Sequence, residues 1–374
     1  MAEGAFWFSV ALLGYTFAGY PAAIWVFARI WPRAPGKRLA HPPVTIVISA
    51  HNEEHHIARK LDSCFGQDYP PEHIEVVVVS DGSTDKTADV VRGYDTSKLR
   101  LVERSDRRGK AACLNDAMGI VSTEFVVFTD ARQRLDKNSV IALMANFADE
   151  SVGAVSGELV FEATEAESFA SSVDAYWRYE KVIRAAEARV DSIVGVTGAL
   201  YAIRSALYVP IPQGTILDDV LIPMNVVLQG KRVVFEPEAR AFDVPSRDVS
   251  TEKKRKARTL AGNYQVLALR PALLNPLRNR IWLQYVSHKV LRLVAPGAMA
   301  VAFAANVVLL NDSLYAAALS AQLVLYATAL FGLLVPSLLR HRVVRLPATF
   351  CVFNWYAVLG LVQYLRNRHS HLWK

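Results

Sequence analysis

Apolar residues in this chain gather at its two ends, and that distribution limits the fold more than any motif does. From Ala5 to Ile30 the sequence AFWFSVALLGYTFAGYPAAIWVFARI carries no charge until Arg29. About 20 apolar residues cross a bilayer as a helix, so the run is long enough to span one. It predicts a retained transmembrane helix over 5–30. A signal peptide is not expected, because the preceding MAEG has no positive side chain. The C-terminal part supplies three further hydrophobic segments within 290–365, roughly Val290–Leu310, Leu314–Leu338 and Leu346–Leu365.

The chain has 374 residues, 52% of them hydrophobic, and a formal net charge of +7. Its basic residues flank the apolar runs: Arg29, Arg33, Lys37 and Arg38 after the first, Arg278, Arg280, Lys289 and Arg292 before the second, and Arg340, Arg342 and Arg345 before the fourth. The positive-inside rule then places the N-terminus outside and the central domain in the cytosol of a multi-pass cell-membrane protein. Arg366, Arg368 and Lys374 run against that count: either the fourth run is re-entrant or the rule fails at the tail. The same clustering favours membrane-surface anchoring over nucleic acid, for which no helix-turn-helix, zinc-ligand or RNP-like pattern is present. Cys64, Cys113 and Cys351 form no CxxC pair and read as reduced, buried thiols. Mixed Trp, Tyr, Leu and basic residues over 273–289 predict an interfacial helix; an ordinary amphipathic helix of the central domain is the alternative.

Between the apolar ends, over 43–270, short β-branched runs alternate with helical stretches. VTIVISA (Val44–Ala50), EVVVVSD (Glu75–Asp81), LRLVER (Leu99–Arg104) and EFVVFTD (Glu124–Asp130) read as strands. Helices are expected across Ile57–Phe65, from near Thr84–Asp85, and across Lys110–Gly119. Strands alternating with helices imply an α/β domain with a mostly parallel, doubly wound sheet. Ligands of such sheets bind beyond the carboxyl ends of the strands. Asn52–Glu53, Asp81–Gly82–Ser83 and Asp130 all fall there, while Asp85 reads as a helix cap.

The strings SAHNEE (Ser49–Glu54), VVVVSDGSTDKT (Val76–Thr87), RRGKAACLNDA (Arg107–Ala117) and FTDA (Phe128–Ala131) resemble family 2 glycosyltransferases of the GT-A fold. GVTGALYAIR (Gly195–Arg204), DDVLIPMNVVLQGKRV (Asp218–Val233) and RKARTLAGNYQ (Arg255–Gln265) continue the likeness in order. With the flanking membrane runs, the whole resembles the membrane-bound synthases of hyaluronan, cellulose and poly-N-acetylglucosamine type. The resemblance implies inverting sugar transfer from a nucleoside diphosphate sugar, by default UDP-linked. It implies that Ala50, Asn52, Glu53 and Asp81 hold the nucleoside and that Lys110 lies near the diphosphate or sugar. A cation there also suits an anionic leaving group.

By the same likeness Asp130 is the first acid of an Asp-x-Asp motif that takes Mg²⁺ or Mn²⁺. Here the motif reads Asp130–Ala131–Arg132, so the second carboxylate is missing, and Arg132 could instead meet a phosphate. Asp218–Asp219 matches an acidic pair whose second member, Asp219, is the general base. Thr197, Gly198 and Ala199 are implied to lie near the acceptor, with Asp218. Arg255 and Arg258 stand in a Gln-x-x-Arg-Trp motif that reads Arg-x-x-Arg-Thr here; they retain the means to clamp a diphosphate, but the stacking aromatic is replaced by Thr259. The expected partners are a nucleotide-sugar donor, a saccharide or lipid acceptor, the membrane, and room for a partner subunit. Three functions stay open: extension of a polysaccharide, transfer of one sugar to a membrane lipid, and a non-catalytic nucleotide-binding partner subunit.

Overall fold

The computed structural model describes residues 1–162, 167–244 and 249–366, with side chains described outside 167–177 and 249–253. Eight strands form one sheet: β1 (Val44–Ala50), β2 (Ile74–Asp81), β3 (Leu99–Arg104), β4 (Phe125–Asp130), β5 (Arg134–Leu135), β6 (Val152–Phe161), β7 (Tyr201–Arg204) and β8 (Arg232–Asp243). The helices are α1 (Ala2–Ile30), α2 (Ile57–Phe65), α3 (Thr87–Arg92), α4 (Lys110–Met118), α5 (Ser139–Ala145), α6 (Glu167–Val190), α7 (Asp218–Leu228), α8 (Val249–Leu269), α9 (Trp282–Val308), α10 (Ser313–Leu334) and α11 (Arg342–Arg366).

Strand order is β3-β2-β1-β4-β7-β6-β8-β5. β-branched residues suit a pleated surface covered on both faces, and alternate residues here enter two separate cores. Val47, Val77, Val79, Val126 and Phe128 join one; Ile46, Ile48, Val76, Val78 and Val127 join the other. The first four strands are parallel, as the alternation predicted. Beyond β4 the sheet is mixed: β7 runs antiparallel to both β4 and β6, and β5 antiparallel to β8. The β4-to-β7 step is where the strand direction reverses, and it lies beside Asp130.

Four helices, α1, α9, α10 and α11, are long and apolar enough to cross a membrane. They match the four apolar runs to within a few residues, except that α9 begins at Trp282. The interfacial helix expected over 273–289 is therefore not one element. Pro271–Leu274 is a single 3₁₀ turn; Pro276, which has no N–H to give a helix, follows Asn275, whose side chain accepts from the Leu277 amide at 2.8 Å. The remainder, from Trp282, belongs to α9. Arg368 and Lys374, which troubled the charge count, lie outside the described residues.

The α/β domain is seated on the membrane helices through α6 and α8. Tyr20, Ile24 and Ala28 of α1 pack on Ile183 and Ala186 of α6, and Tyr179 donates to the Phe17 carbonyl at 2.9 Å. A Cβ on Gly360 of α11 would stand 2.9 Å from the Ala261 nitrogen of α8, so glycine permits that close crossing. Gly262 of α8 faces the other way, where a Cβ would lie 2.5 Å from Leu217 Cγ. Leu217 immediately precedes the Asp218–Asp219 pair. Gly262→Ala is thus expected to displace Leu217, to destabilise by about 1–3 kcal/mol as overpacking does, and to lower turnover; thermal unfolding and a rate assay on one preparation check both.

Candidate active site

The crevice above the sheet is built around a loop that Asp81 fixes from below. Asp81 ends β2 fully buried, and its two carboxylate oxygens accept the backbone amides of Arg108 and Gly109, each at 2.7 Å. Gly82 has φ +59°, and a Cβ there would meet the Arg107 nitrogen at 2.8 Å, so only glycine lets the two loops approach. Gly109, at φ +88°, then turns the chain into α4. The expectation that Asp81 grips a nucleoside meets this different geometry: the carboxylate points into the protein and holds the loop that delivers Lys110.

Lys110 stands between the acids. Its Nζ donates to Asp130 Oδ1 at 2.8 Å and lies 3.1 Å from Asp218 Oδ2. Asp218 and Asp219 open α7, at the end of a helix that favours negative charge. A Cβ on Gly198 would be 3.5 Å from both Lys110 Nζ and Asp219 Oδ2, so the bare glycine floors the space between ammonium and carboxylate. Asp219 Oδ1 is enclosed without any hydrogen-bond partner. Burial, then the neighbouring Asp218 charge, push the Asp219 carboxyl up to about 6, against the pull of Lys110 and Lys289. For Lys110, burial opposes the charge, but Asp130 and Asp218 outweigh it and raise the ammonium above the usual lysine range. Arg258 lies within electrostatic reach of the same acids: burial lowers its guanidinium, and Asp218, Asp219 and Asp130 counter that.

The other expected residues divide. Asn52, at φ +55°, accepts the Thr84 amide through Oδ1 at 2.8 Å, tying the first two strand-end loops together. Glu53 bonds His56 at 3.0 Å; burial raises its carboxyl, while His56 and Arg132 pull it down. Ala50 is buried at the end of β1. The Thr197 amide donates to Ser156 Oγ at 3.1 Å, and the buried Ala199 carbonyl accepts from Thr129 at 2.6 Å. Arg255 is exposed, as is Thr259, whose hydroxyl donates to the Arg255 carbonyl at 3.0 Å. Asp85, expected as a cap, sits one residue before the N-cap Lys86 of α3 and accepts the Thr87 amide at 3.0 Å.

Three supports escaped the sequence reading. Lys60 is buried beneath Asp130, donating to Thr129 Oγ1 at 2.5 Å and the Gln133 carbonyl at 2.9 Å, and burial lowers its ammonium to about 8. Asp243, buried at the end of β8, accepts Arg132 at 2.5 Å and Gln133 at 2.9 Å. Arg184 of α6 donates to Ser156 Oγ at 2.9 Å, behind Thr197. No motif marks these positions; a charged residue inside a sequence otherwise reading as buried, as at Asp243, is the one available signal.

A divalent ion has one evident protein ligand here. Asp130 is 33% exposed toward the crevice and engages Lys110 through only one oxygen. Arg132, in the second motif position, is held by Asp243. Among the described residues no group of three or more His, Cys, Asp or Glu is placed to hold a metal. Mg²⁺ ordinarily takes one or two carboxylates and completes its octahedron with phosphate and water, so Asp130 fits such an ion only together with a bound diphosphate.

Sheet order and crevice define the GT-A class of α/β fold, here joined to membrane helices. The family model "Glycosyl transferase family 2" matches residues 45–203, and "Glycosyl transferase family group 2" matches 125–364; the chain belongs to the family 2 glycosyltransferases. It is 34% identical over 158 residues to a beta-monoglucosyldiacylglycerol synthase of Nostoc sp., covering 40% of this chain and 33% of that protein. To a poly-beta-1,6-N-acetyl-D-glucosamine synthase of Staphylococcus aureus it is 22% identical over 229 residues, 60% of this chain and 55% of the other. The chain thus spans between a third and about half the length of these relatives. In fold it is similar to a mannosyltransferase of Pyrobaculum calidifontis solved with GDP-Man and Mn²⁺, with TM-score 0.74, 24% identity, 98% of this chain and all of the other covered.

Proposed function

We propose that the protein transfers a sugar, with inversion, from a nucleoside diphosphate sugar to a hydroxyl borne by a lipid at the cytosolic face of the cell membrane. The observation that carries this reading is the Lys110 ammonium, bonded to Asp130 and beside Asp218, across Gly198 from a carboxyl of pKa about 6. Inversion needs a base opposite the leaving diphosphate, and a carboxylate poised near neutrality with an unpartnered oxygen suits that task. Lys110 and Arg258 supply the fixed positive charge that a departing diphosphate requires. Asn52, Glu53 and Ala50 line the strand ends where the nucleoside is expected, and Asp81 acts by holding the Lys110 loop. Bound at Asp130, a divalent ion would add further charge against the diphosphate.

Thr259 in place of an acceptor-stacking aromatic favours a single addition over chain growth. The similarity to the poly-N-acetylglucosamine synthase over the catalytic region favours a second reading, extension of a polysaccharide. Purified protein in detergent, given labelled UDP- and GDP-sugars and membrane lipid, tests both: label in the organic-soluble fraction supports the first reading, label in polymer the second, and no transfer from any donor sinks both. Asp130→Ala is expected to weaken donor binding tenfold or so with Mg²⁺ or Mn²⁺ present and far less with chelator; titration calorimetry with nucleoside diphosphate gives the comparison, and equal effects in both conditions remove the ion from Asp130.

A further inference from the structure

The membrane side of the site holds a second set of charges that donor binding does not use. On α6, Glu180, Arg184 and Glu187 fall on one face at helical spacing, and α9 meets that face. His288 bridges the two glutamates, Nδ1 to Glu187 at 2.8 Å and Nε2 to Glu180 at 3.0 Å, while Arg292 also donates to Glu180. From α1, Tyr20 donates to Glu187 at 2.5 Å. Each of the two membrane helices contains a π-helical turn here, Tyr15–Gly19 and Val286–Val290, and the hydroxyls of Tyr15 and Ser287 meet at 2.8 Å. Such turns interrupt the regular ladder and recur at functional sites.

Lys289 lies in the second of these turns. It makes no hydrogen bond or ion pair among the described residues, although it sits within electrostatic reach of Asp219, Glu180, Arg184 and Arg292. The neighbouring glutamates are already bonded to His288, Arg292 and Tyr20. Arg184, the next cation, spends one nitrogen on Ser156, and its Nε is enclosed with no partner. Ser156 in turn holds Thr197, one residue before the glycine that faces Asp219. An unpaired cation beside a bilayer is costly and marks a place where an anion is received.

We propose that Lys289 and Arg184 form a phosphate subsite for the acceptor, a membrane lipid whose head group carries a phosphate and, beyond it, a free hydroxyl. This rests on the transfer reading above and specifies its acceptor. The phosphate stays at the depth of lipid head groups, and the hydroxyl extends toward Asp219. There the hydroxyl oxygen bonds to the sugar's anomeric carbon, the carbon–oxygen bond to the diphosphate breaks with its electron pair on the diphosphate, and the proton passes to Asp219.

The test uses the full chain in nanodiscs containing phosphatidylcholine, phosphatidylglycerol and diacylglycerol in equal amounts, with co-purifying lipid read by native mass spectrometry. Phosphatidylglycerol, with both phosphate and hydroxyl, is expected to be retained over both others. Lys289→Gln is expected to lower that retention tenfold or more, and Lys289→Arg to restore most of it. Arg29→Gln, which alters an exposed arginine stacked on Trp25, is expected to leave it unaltered. Equal retention of the three lipids, or retention that survives Lys289→Gln, overturns the proposal. So does complete displacement of the lipid by inorganic phosphate at millimolar concentration, which would make the subsite one for the free anion. A failure of the transfer reading appears separately, as absence of turnover with every nucleotide sugar despite selective lipid retention.

Discussion

Asparagine at position 219 is expected to slow sugar transfer by roughly 10²–10⁴-fold, the usual contribution of a general base, with nucleoside diphosphate affinity held within about threefold. The substitution keeps the shape of the side chain and removes only its capacity to take a proton. A pH profile sharpens the test. With Asp219 at about 6, transfer by the parent protein should rise with pH through that value and level off above it, and the variant should lack that limb. The sign for stability is opposite. A carboxyl whose folded pKa is raised from the ordinary 3.8 contributes fully below that value and loses its contribution as pH rises through about 6. At pH 7, therefore, the asparagine variant should be at least as stable as the parent while nearly inactive. A variant that turns over normally, or one that loses activity only because it unfolds, removes Asp219 from the mechanism.

The residues of this site differ in how openly the sequence announced them, and the difference is physical. Asp130 and Asn52 come at or just after the ends of short, buried, largely apolar and β-branched strands, and a carboxylate or amide after such a run turns to the crevice. Asp218 and Asp219 could be placed only by resemblance, because an acidic pair at a helix start is equally well a cap. The parallel strands were legible from their β-branched runs, whereas the antiparallel insertion of β7 was not: four residues, Tyr201–Arg204, carry no directional signal of their own. Asp81 looked like a ligand because strand position does not reveal which way a buried carboxylate turns. Its partners are backbone amides 27 and 28 residues away, a contact made by the fold. Lys60, Arg184 and Lys289 were hidden for the same reason. Each lies on a helix whose composition reads as an ordinary amphipathic or membrane-flanking surface, and only the packing of α2 against the strand end below Asp130, and of α6 and α9 against the crevice, turns it inward. The segment over 273–289 misled in the reverse direction, since its aromatic and basic pattern suits an interfacial helix but Pro276 breaks it after the 3₁₀ turn.

Lys110 is where those separately readable pieces become one site, and its replacement by methionine is the second large effect expected. Methionine preserves the length of the side chain but leaves Asp130 and Asp218 facing each other without the cation between them. Fixed charge opposite a leaving diphosphate contributes on the order of 10²–10³-fold to turnover, so kcat should fall by about that factor, and donor affinity should weaken as well. The shape of the pH profile gives the discriminating readout. Burial and Asp218 draw the Asp219 carboxyl upward, and the Lys110 ammonium is the strongest of the charges drawing it downward. Without the ammonium, the acidic limb of the residual activity should move to higher pH by about a unit, since one unit corresponds to ~1.4 kcal/mol of interaction between charges that lie this close. Lys110→Arg, which keeps the charge in a bulkier fork, should leave the limb near its original place even where kcat is reduced by misfit. An acidic limb that stays fixed in Lys110→Met would mean that the group titrating in turnover is not Asp219, and the assignment of base and cation would have to be redrawn from the other carboxylates of the crevice.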